Sequence, residues 1–319
     1  MSGKPDLHVL KLAPLTLPSF AKVNLCLEIL GRREDGYHEV RTLLQTIDLR
    51  DELTFKPTAE GVKLRVSGRA VSSGDENTVL RAVDLFSRRY GLAVGLEISL
   101  FKRIPIGAGL GGGSSNAAIT LMALGKLTGR CLTLAELSEM AAELGSDVPF
   151  FLSGGLAFGW GRGERTEPWT RSEPEAELLL VYPGFEVSTK DAYAQLRAAT
   201  LGNSELLTRR HADTTIRRFR EVLDSPDWSR FQNGLEQPCF DRHPELRTVV
   251  AILQDAGCDF AAMSGSGSAI FGIGSTHSLE QAERDCVNQE VGDVIRTRFV
   301  SGRDYWSSLG EAGLTLPDS

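Results

Sequence analysis

The chain has 319 residues, 41% of them hydrophobic and 24% charged, which excludes a disordered or fibrous chain and leaves apolar material for one or two cores. Its formal charge of −7 argues against a general nucleic-acid coat binder, which carries a basic excess, while leaving room for a local basic pocket that takes a small anion. The five cysteines (26, 131, 239, 258, 286) show no CxxC spacing and the histidines are scattered, so neither a disulfide frame nor a His/Cys metal site is expected. No apolar run approaches the roughly 20 residues of a membrane span. The start, Met1-Ser-Gly-Lys-Pro-Asp6, has no signal-peptide character, so a soluble cytoplasmic protein is expected.

Residues 20–30 alternate, with Val23, Leu25, Leu27 and Ile29 on one side and Lys22, Asn24, Cys26 and Glu28 on the other; this predicts a strand with one buried face. Gly31 to Gly36 reads as a polar turn. Thr42–Leu49 and Glu52–Lys56 predict two strands, and Gly61–Val66 a weaker one. Thr78–Tyr90 has helical periodicity ended by Gly91, and Val94, Leu96, Ile98 and Leu100 predict a strand. A glycine loop over 104–116 feeds a helix that starts at Ser114 and runs to about Leu127. Thr133-Leu-Ala-Glu136 is a capping box whose helix stops at Gly145. Ser146-Asp147-Val-Pro149 predicts a short helix start, and 154–163 a strand and turn.

The polar stretch Arg171–Glu175 marks the expected boundary, giving domains 1–172 and 173–319. Beyond it come a strand at Leu178–Tyr182, a helix at Lys190–Ala199 and a charged segment over 200–230 read as helix and loop. A helix at His243–Ala256, a second glycine loop at Met263–Gly272, a helix at Ser278–Glu290 and a strand at Val294–Val300 complete the chain. Strands and helices mix without strict βαβ alternation, which predicts an α+β fold.

Glycines 107, 109, 111, 112 and 113 lie between a strand and a helix. Glycine lets backbone N–H groups turn toward a ligand, and a helix start adds free donors and a positive dipole end, which together suit phosphates. A linker or tight turn is the plain alternative. Gly107-x-Gly109-x-x-Gly112 matches a dinucleotide fingerprint formally, but the acid that motif needs about 20 residues later, after a second strand, is not placed here. A P-loop lysine is likewise replaced by Gly113, so a phosphate-transfer enzyme must bring its cation from elsewhere. Ser114 and Ser115 cap the helix or reach a metal or phosphate. Taken singly, Lys22 reads as a solvated strand lysine and Asp147 as a helix cap.

The order of the motifs changes that weighing. Ser19-Phe-Ala-Lys22-Val-Asn24-Leu, then Pro105-x-Gly-x-Gly-Leu-Gly-Gly-Gly-Ser-Ser-Asn-Ala-Ala118, then Gly145-Ser-Asp147-Val-Pro149, then Met263-Ser-Gly-Ser-Gly-Ser-Ala-Ile-Phe-Gly272 resemble the motifs of the GHMP kinases. Asp35-Gly-Tyr-His38 and the triple glycine are similar to the branch whose substrate is a cytidine diphosphate-linked methylerythritol, in non-mevalonate isoprenoid biosynthesis.

The resemblance implies a two-domain GHMP kinase fold, its N-terminal domain like ribosomal protein S5 domain 2 and its C-terminal domain ferredoxin-like. It implies ATP as phosphoryl donor with Mg²⁺, and a small-molecule partner rather than nucleic acid or membrane. Pro105, Ile106, Gly107, Ala108, Gly109, Leu110, Gly111, Gly112, Gly113, Ser114 and Ser115 would wrap the ATP phosphates, with Ser115 as a metal ligand. Asp147 would be the base and Lys22 its partner. Asn24, Tyr37, His38, Thr189 and Tyr193 would hold the substrate, the aromatic residues meeting cytosine. Phosphoryl transfer needs positioning and charge neutralisation, and a carboxylate in reach of the hydroxyl takes its proton. The competing readings are a homoserine- or mevalonate-type kinase of the same superfamily, which has no use for the aromatic residues, and a non-catalytic nucleotide binder, which would not be expected to keep both Lys22 and Asp147.

Overall fold

A computed structural model describes residues 7–8, 13–69, 71, 73–171, 173–196, 228 and 231–315. Its first half contains β1 (Leu7–His8), β2 (Leu15–Arg32), β3 (His38–Pro57), β4 (Val62–Gly68), α1 (Thr78–Tyr90), β5 (Ala93–Val94) and β6 (Leu96–Lys102). Then come α2 (Gly112–Thr128), α3 (Leu134–Leu144), a 3-10 turn (Pro149–Leu152), β7 (Leu156–Gly161) and β8 (Arg165–Pro168). The second half contains β9 (Glu177–Tyr182), α4 (Thr189–Ala194), α5 (Glu236–Arg242), α6 (Glu245–Asp255), β10 (Phe260–Met263), β11 (Ile270–Ile273), α7 (Thr276–Asn288), β12 (Asp293–Arg298) and α8 (Gly302–Glu311).

The predicted strands 42–49 and 52–56 are one bent strand, β3. Its last residues pair with β6 and its first with β7, while β2 runs antiparallel along it from Leu15↔Phe55 to Arg32↔His38. A strand that changes neighbour midway needs length more than regularity, and the charged residues at 50–52 hide that continuity in the sequence. α1, α2 and α3 cover one face of this sheet and bury Phe20, Phe55, Phe86 and Leu121. The helix signals hold: Asn77 accepts from Val79 N at 3.0 Å and Gly91 ends α1 at φ 64°. Thr133 and Glu136 form the capping box.

The second sheet is antiparallel in the order β10-β11-β9-β12. With α6 and α7 on one face it has the strand–helix–strand–strand–helix–strand run of a ferredoxin-like unit. Its other face packs on the first sheet through Leu178, Leu180, Phe260 and Phe271 against Val23, Leu43 and Phe158. The expected helix at 243–256 forms as α6, and the sequence reading missed the short α5 before it, parted from α6 at His243 and Pro244. The predicted helix from Lys190 begins at Thr189 and is described to Ala194. Residues 200–227 lie outside the described residues. Among the described residues no helix is long and apolar enough to cross a membrane.

The sequence reading found no element after the last strand, yet α8 forms there and returns to the first core. Ser301 caps it, and Tyr305 and Leu309 are fully buried with the first sheet and its helices. The Tyr305 hydroxyl donates to Phe151 O at 2.5 Å, bracing the 3-10 turn that follows Asp147. Tyr305→Ala should cost about 3–5 kcal/mol, as for a large buried ring, whereas Tyr305→Phe should cost about 1–2 kcal/mol for the hydrogen bond alone. Denaturant unfolding of the two variants beside the wild type checks both values.

Candidate active site

Lys22 is expected on an exposed strand face, but both faces of β2 are buried between Ser19 and Leu27. One face meets the helices, and the other is covered by the two glycine loops and the second sheet. A register shift between Asn24 and Cys26 interrupts the alternation. Cys26 therefore joins Val23 and Leu25 in the core instead of following Lys22 and Asn24.

The Lys22 side chain is only 3% exposed, and its Nζ donates to Asn24 Oδ1 and, at 2.7 Å, to Gly109 O. It lies 3.4 Å from Asp147 Oδ2, whose side chain is 36% exposed. Asn24 Nδ2 in turn donates to Thr42 Oγ1 at 2.7 Å, and Thr42 Oγ1 to Cys26 O at 2.8 Å. The lysine is thus locked while the carboxylate is open to the cavity. That is the arrangement of a fixed cation beside an accessible base.

The glycine loop crosses over this pair. Gly107, Gly109 and Gly111 take φ of 60°, 75° and 69°, values that favour glycine. A Cβ on Gly109 would stand 1.9 Å from Ser264 O, because the second glycine loop lies against it. Ser264 Oγ donates to Gly109 O at 3.0 Å, and Ala269 N donates to Ala108 O at 3.1 Å. Helix α2 starts at Gly112, not at Ser114, with Gly111 as its N-cap. Pro105 through Ser114 all line one cavity of about 1210 Å³.

Ser115 departs from its expected role. It is fully buried, takes the Ser19 hydroxyl at 2.7 Å and is not part of the cavity wall, so it is not placed to hold a metal or a phosphate. Helical geometry turns consecutive residues about 100° apart, so of the two serines only Ser114 faces the cavity. Beneath the helix start, Asn116 Nδ2 donates to Ser19 Oγ at 2.8 Å and to Asp51 Oδ2 at 3.0 Å. Asp51 also pairs with Lys102 and accepts from the backbone N–H of Arg103 and Ile104. Desolvation pushes the Lys102 ammonium below its ordinary range.

At the other end of the cavity stand Tyr37, His38 and Tyr193. The His38 and Tyr193 rings are stacked, 5.0 Å between centroids and 24° between planes, while Tyr37 is 54% exposed. The free ring surface is therefore on Tyr37, with the Arg162 guanidinium 4.8 Å from its ring centroid. Burial and the neighbouring Arg32 hold the His38 imidazole below its usual range, so it is neutral at pH 7. Burial, with the Asp147 charge nearby, raises the Tyr193 phenol. Thr189 joins the same wall through its hydroxyl contact with Ser266 at 2.8 Å.

The sequence reading missed Asn77, Thr78, Lys102, Arg162 and Lys190, all on the cavity wall. Arg162 carried a faint signal, since it sits between Gly161 and Gly163. The others carried none, because a helix start and a strand end look alike whether or not a cavity adjoins them.

The chain matches the family model of the GHMP kinases N terminal domain over residues 77–155 and that of the GHMP kinases C terminal over 212–293. It belongs to the GHMP kinases. It is 42% identical over 259 residues to the 4-diphosphocytidyl-2-C-methyl-D-erythritol kinase of Syntrophus aciditrophicus, covering 81% of this chain and 89% of that protein. It is 40% identical over 292 residues to the kinase of the same name from Pelotomaculum thermopropionicum, covering 91% and 99%. A crystal structure of 4-(cytidine 5'-diphospho)-2C-methyl-D-erythritol kinase superposes with a TM-score of 0.73 at 36% identity, over 89% of this chain and 99% of that one. A homoserine kinase from Cytophaga hutchinsonii reaches a TM-score of 0.68 at 19% identity over 92% and 97%, a likeness of fold alone.

The two glycines over the lysine and the cavity respond differently to a methyl group. A Cβ on Gly111 would lie 2.9 Å from Phe151 and 3.1 Å from Lys22 Cγ at a left-handed φ, so Gly111→Ala should cost about 1–2 kcal/mol and displace the lysine. At Gly113 the nearest atom is Thr78 Oγ1 at 3.5 Å, so Gly113→Ala should leave the melting midpoint unchanged. Thermal melts of both variants check the contrast.

Proposed function

We propose that the chain transfers the γ-phosphoryl group of ATP to the 2-hydroxyl of 4-diphosphocytidyl-2-C-methyl-D-erythritol, a step in non-mevalonate isoprenoid precursor biosynthesis carried out in the cytoplasm. The observation that carries this reading is the Lys22–Asp147 pair, placed along a cavity with a glycine loop on one side and an aromatic cluster on the other. Its volume exceeds the roughly 300–1,000 Å³ of a site for one small ligand, which suits two substrates bound together. The names of the relatives agree with it. In this reading residues 1–172 carry the ATP loop and the catalytic pair, and residues 173–319 form the C-terminal domain, except that its last helix, α8, packs in the first core.

Asp147 accepts the hydroxyl proton as the phosphoryl group arrives, being the accessible member of the pair. Lys22, fixed by Asn24 and Gly109 O, offers its charge to the phosphoryl oxygens without having to reorganise. The backbone from Pro105 to Ser114 receives the ATP phosphates at the start of α2. Asn24 and Thr189 face the sugar-alcohol part of the substrate, and Tyr37, His38 and Tyr193 its cytosine. A neutral His38 serves as a hydrogen-bond partner for the base edge.

Among the described residues no three His, Cys, Asp or Glu side chains gather to hold a metal. The Ser114 hydroxyl and the Asp147 carboxylate on the cavity wall are oxygen donors, which fit Mg²⁺ as a companion of the ATP phosphates that would bring most of its ligands. Asp147 and Ser114 are the side chains that would complete its shell, and the ion would neutralise phosphate charge.

ATP turnover measured against the cytidyl substrate, homoserine and mevalonate tests the assignment. Turnover of the cytidyl compound is expected, and a preference for either of the others would overturn it. Asp147→Asn should lower kcat by roughly 10²- to 10⁴-fold with ATP binding nearly intact. Retention of activity within a few-fold would reject Asp147 as the base. Tyr37→Ala should lower kcat/KM for the cytidyl substrate by about 5- to 150-fold, the worth of one base stacked on an aromatic ring, and leave KM for ATP unchanged. Steady-state kinetics with each substrate varied in turn separates this from general damage to the fold.

A further inference from the structure

Five cations line the cavity, Lys22, Arg32, Lys102, Arg162 and Lys190, against two carboxylates, Glu76 and Asp147, in a chain whose formal charge is −7. Three of the five are engaged. Lys22 is held by Asn24, Gly109 O and Asp147, and Lys102 by Asp51 and Asn116. Arg162 lies over the Tyr37 ring, with Glu164 3.9 Å away. The side chains of Lys190 and Arg32 make no ion pair or hydrogen bond among the described residues.

A line of contacts and short chain segments leads from the Lys22–Asp147 pair to the aromatic end, and Lys190 adjoins it through Thr189. Gly265 packs against Asn24 and Lys22, where a Cβ would stand 3.0 Å from Asn24 Oδ1 and 3.4 Å from Lys22 Nζ. Its neighbour Ser266 meets the Thr189 hydroxyl at 2.8 Å. Lys190 follows Thr189, and three residues further along α4 comes Tyr193, on the same helix face. Tyr193 stacks on His38, and Arg32 is the cross-strand partner of His38. Arg32 is thus placed with the aromatic end of the cavity, whereas Lys190, exposed on the cavity wall, is placed beside Thr189, whose hydroxyl meets the loop that packs on Lys22.

We propose that Lys190 binds the diphosphate of the substrate and is a residue by which this site selects a cytidine diphosphate-linked alcohol over a short one. The proposal rests on the substrate reading above: if cytosine occupies the aromatic end and the hydroxyl lies at Asp147, the diphosphate that joins them must run along this wall. Two phosphates there bring about two negative charges, and an ammonium on a flexible stem meets them as a point charge. A lysine with no partner among the described residues loses nothing there on turning to the ligand.

Cytidine and cytidine diphosphate differ only in the phosphates, so as competitive inhibitors of the full-length enzyme they isolate this contribution. The wild type should bind cytidine diphosphate more tightly than cytidine. Lys190→Gln should weaken cytidine diphosphate roughly 5- to 30-fold, the range of a charge-assisted contact at a partly solvated site, and leave cytidine unchanged. The loss should appear in KM for the cytidyl substrate, with KM for ATP unmoved, and Lys190→Arg should restore most of it. An unchanged preference for the diphosphate in Lys190→Gln overturns the assignment while the substrate reading stands. Equal weakening of both inhibitors also overturns it, since Lys190 would then be supporting the aromatic end. If the wild type binds neither inhibitor and does not turn over the cytidyl substrate, the substrate reading itself fails and this assignment falls with it.

Discussion

The carbonyl oxygen of Gly109 is where the two halves of the molecule meet around a charge. It accepts from Lys22 Nζ at 2.7 Å and from Ser264 Oγ at 3.0 Å, so strand β2, the first glycine loop and the second glycine loop share one atom. No side chain fits at that point, because the Ser264 carbonyl occupies the place of a Cβ. A buried ammonium without acceptors would be costly, and the cost is met here by Asn24, Gly109 O and Asp147 together. The glycine loop therefore has two tasks. Its outer side lines the cavity, and its inner side fixes Lys22, which lines the same cavity.

A second buried network holds the loop from below. Asp51 at the bend of β3 accepts from the N–H groups of Arg103 and Ile104 and pairs with Lys102, while Asn116 ties Asp51 to Ser19 and thereby to Ser115. Buried ion pairs of this kind contribute little net stability, since desolvation offsets most of the attraction. What they contribute is register. They fix where β6 ends and where α2 begins, and hence where the nine residues between them lie.

The two glycine loops also make the cavity a property of both halves. Asn233 Nδ2 donates to Met263 O at 2.8 Å and to Gly265 O at 2.7 Å, and Glu236 accepts from Met263 N, so α5 and the turn before it hold the second loop in place. That loop then reaches Lys22, Asn24 and Thr189. At the far end, Tyr305 on α8 supports the turn after Asp147. Lys22 and Asp147 are thus each braced by a part of the chain more than 100 residues away, so their pairing depends on the whole fold.

Local physics fixed what the sequence alone determined. The capping box at Thr133, the span of α1 between Asn77 and Gly91, and the positive-φ glycines before α2 are decided within a few residues by hydrogen bonds and steric limits. The order of Lys22, the glycine loop and Asp147 was legible as well, but through its resemblance to the GHMP kinase motifs and not through local physics. Other features were decided only by tertiary structure. Period-2 alternation reports one sheet and is silent about a second surface closing on it, so the burial of Lys22 and the turn of Cys26 into the core could not be read. Two adjacent serines look equivalent in sequence, and only the packing of α2 on β2 sends Ser115 inward and Ser114 to the cavity. Arg162 and Lys190 are ordinary surface charges until strands and helices far apart in the chain bring them to one wall, because a cavity is defined by what surrounds it and not by any one segment.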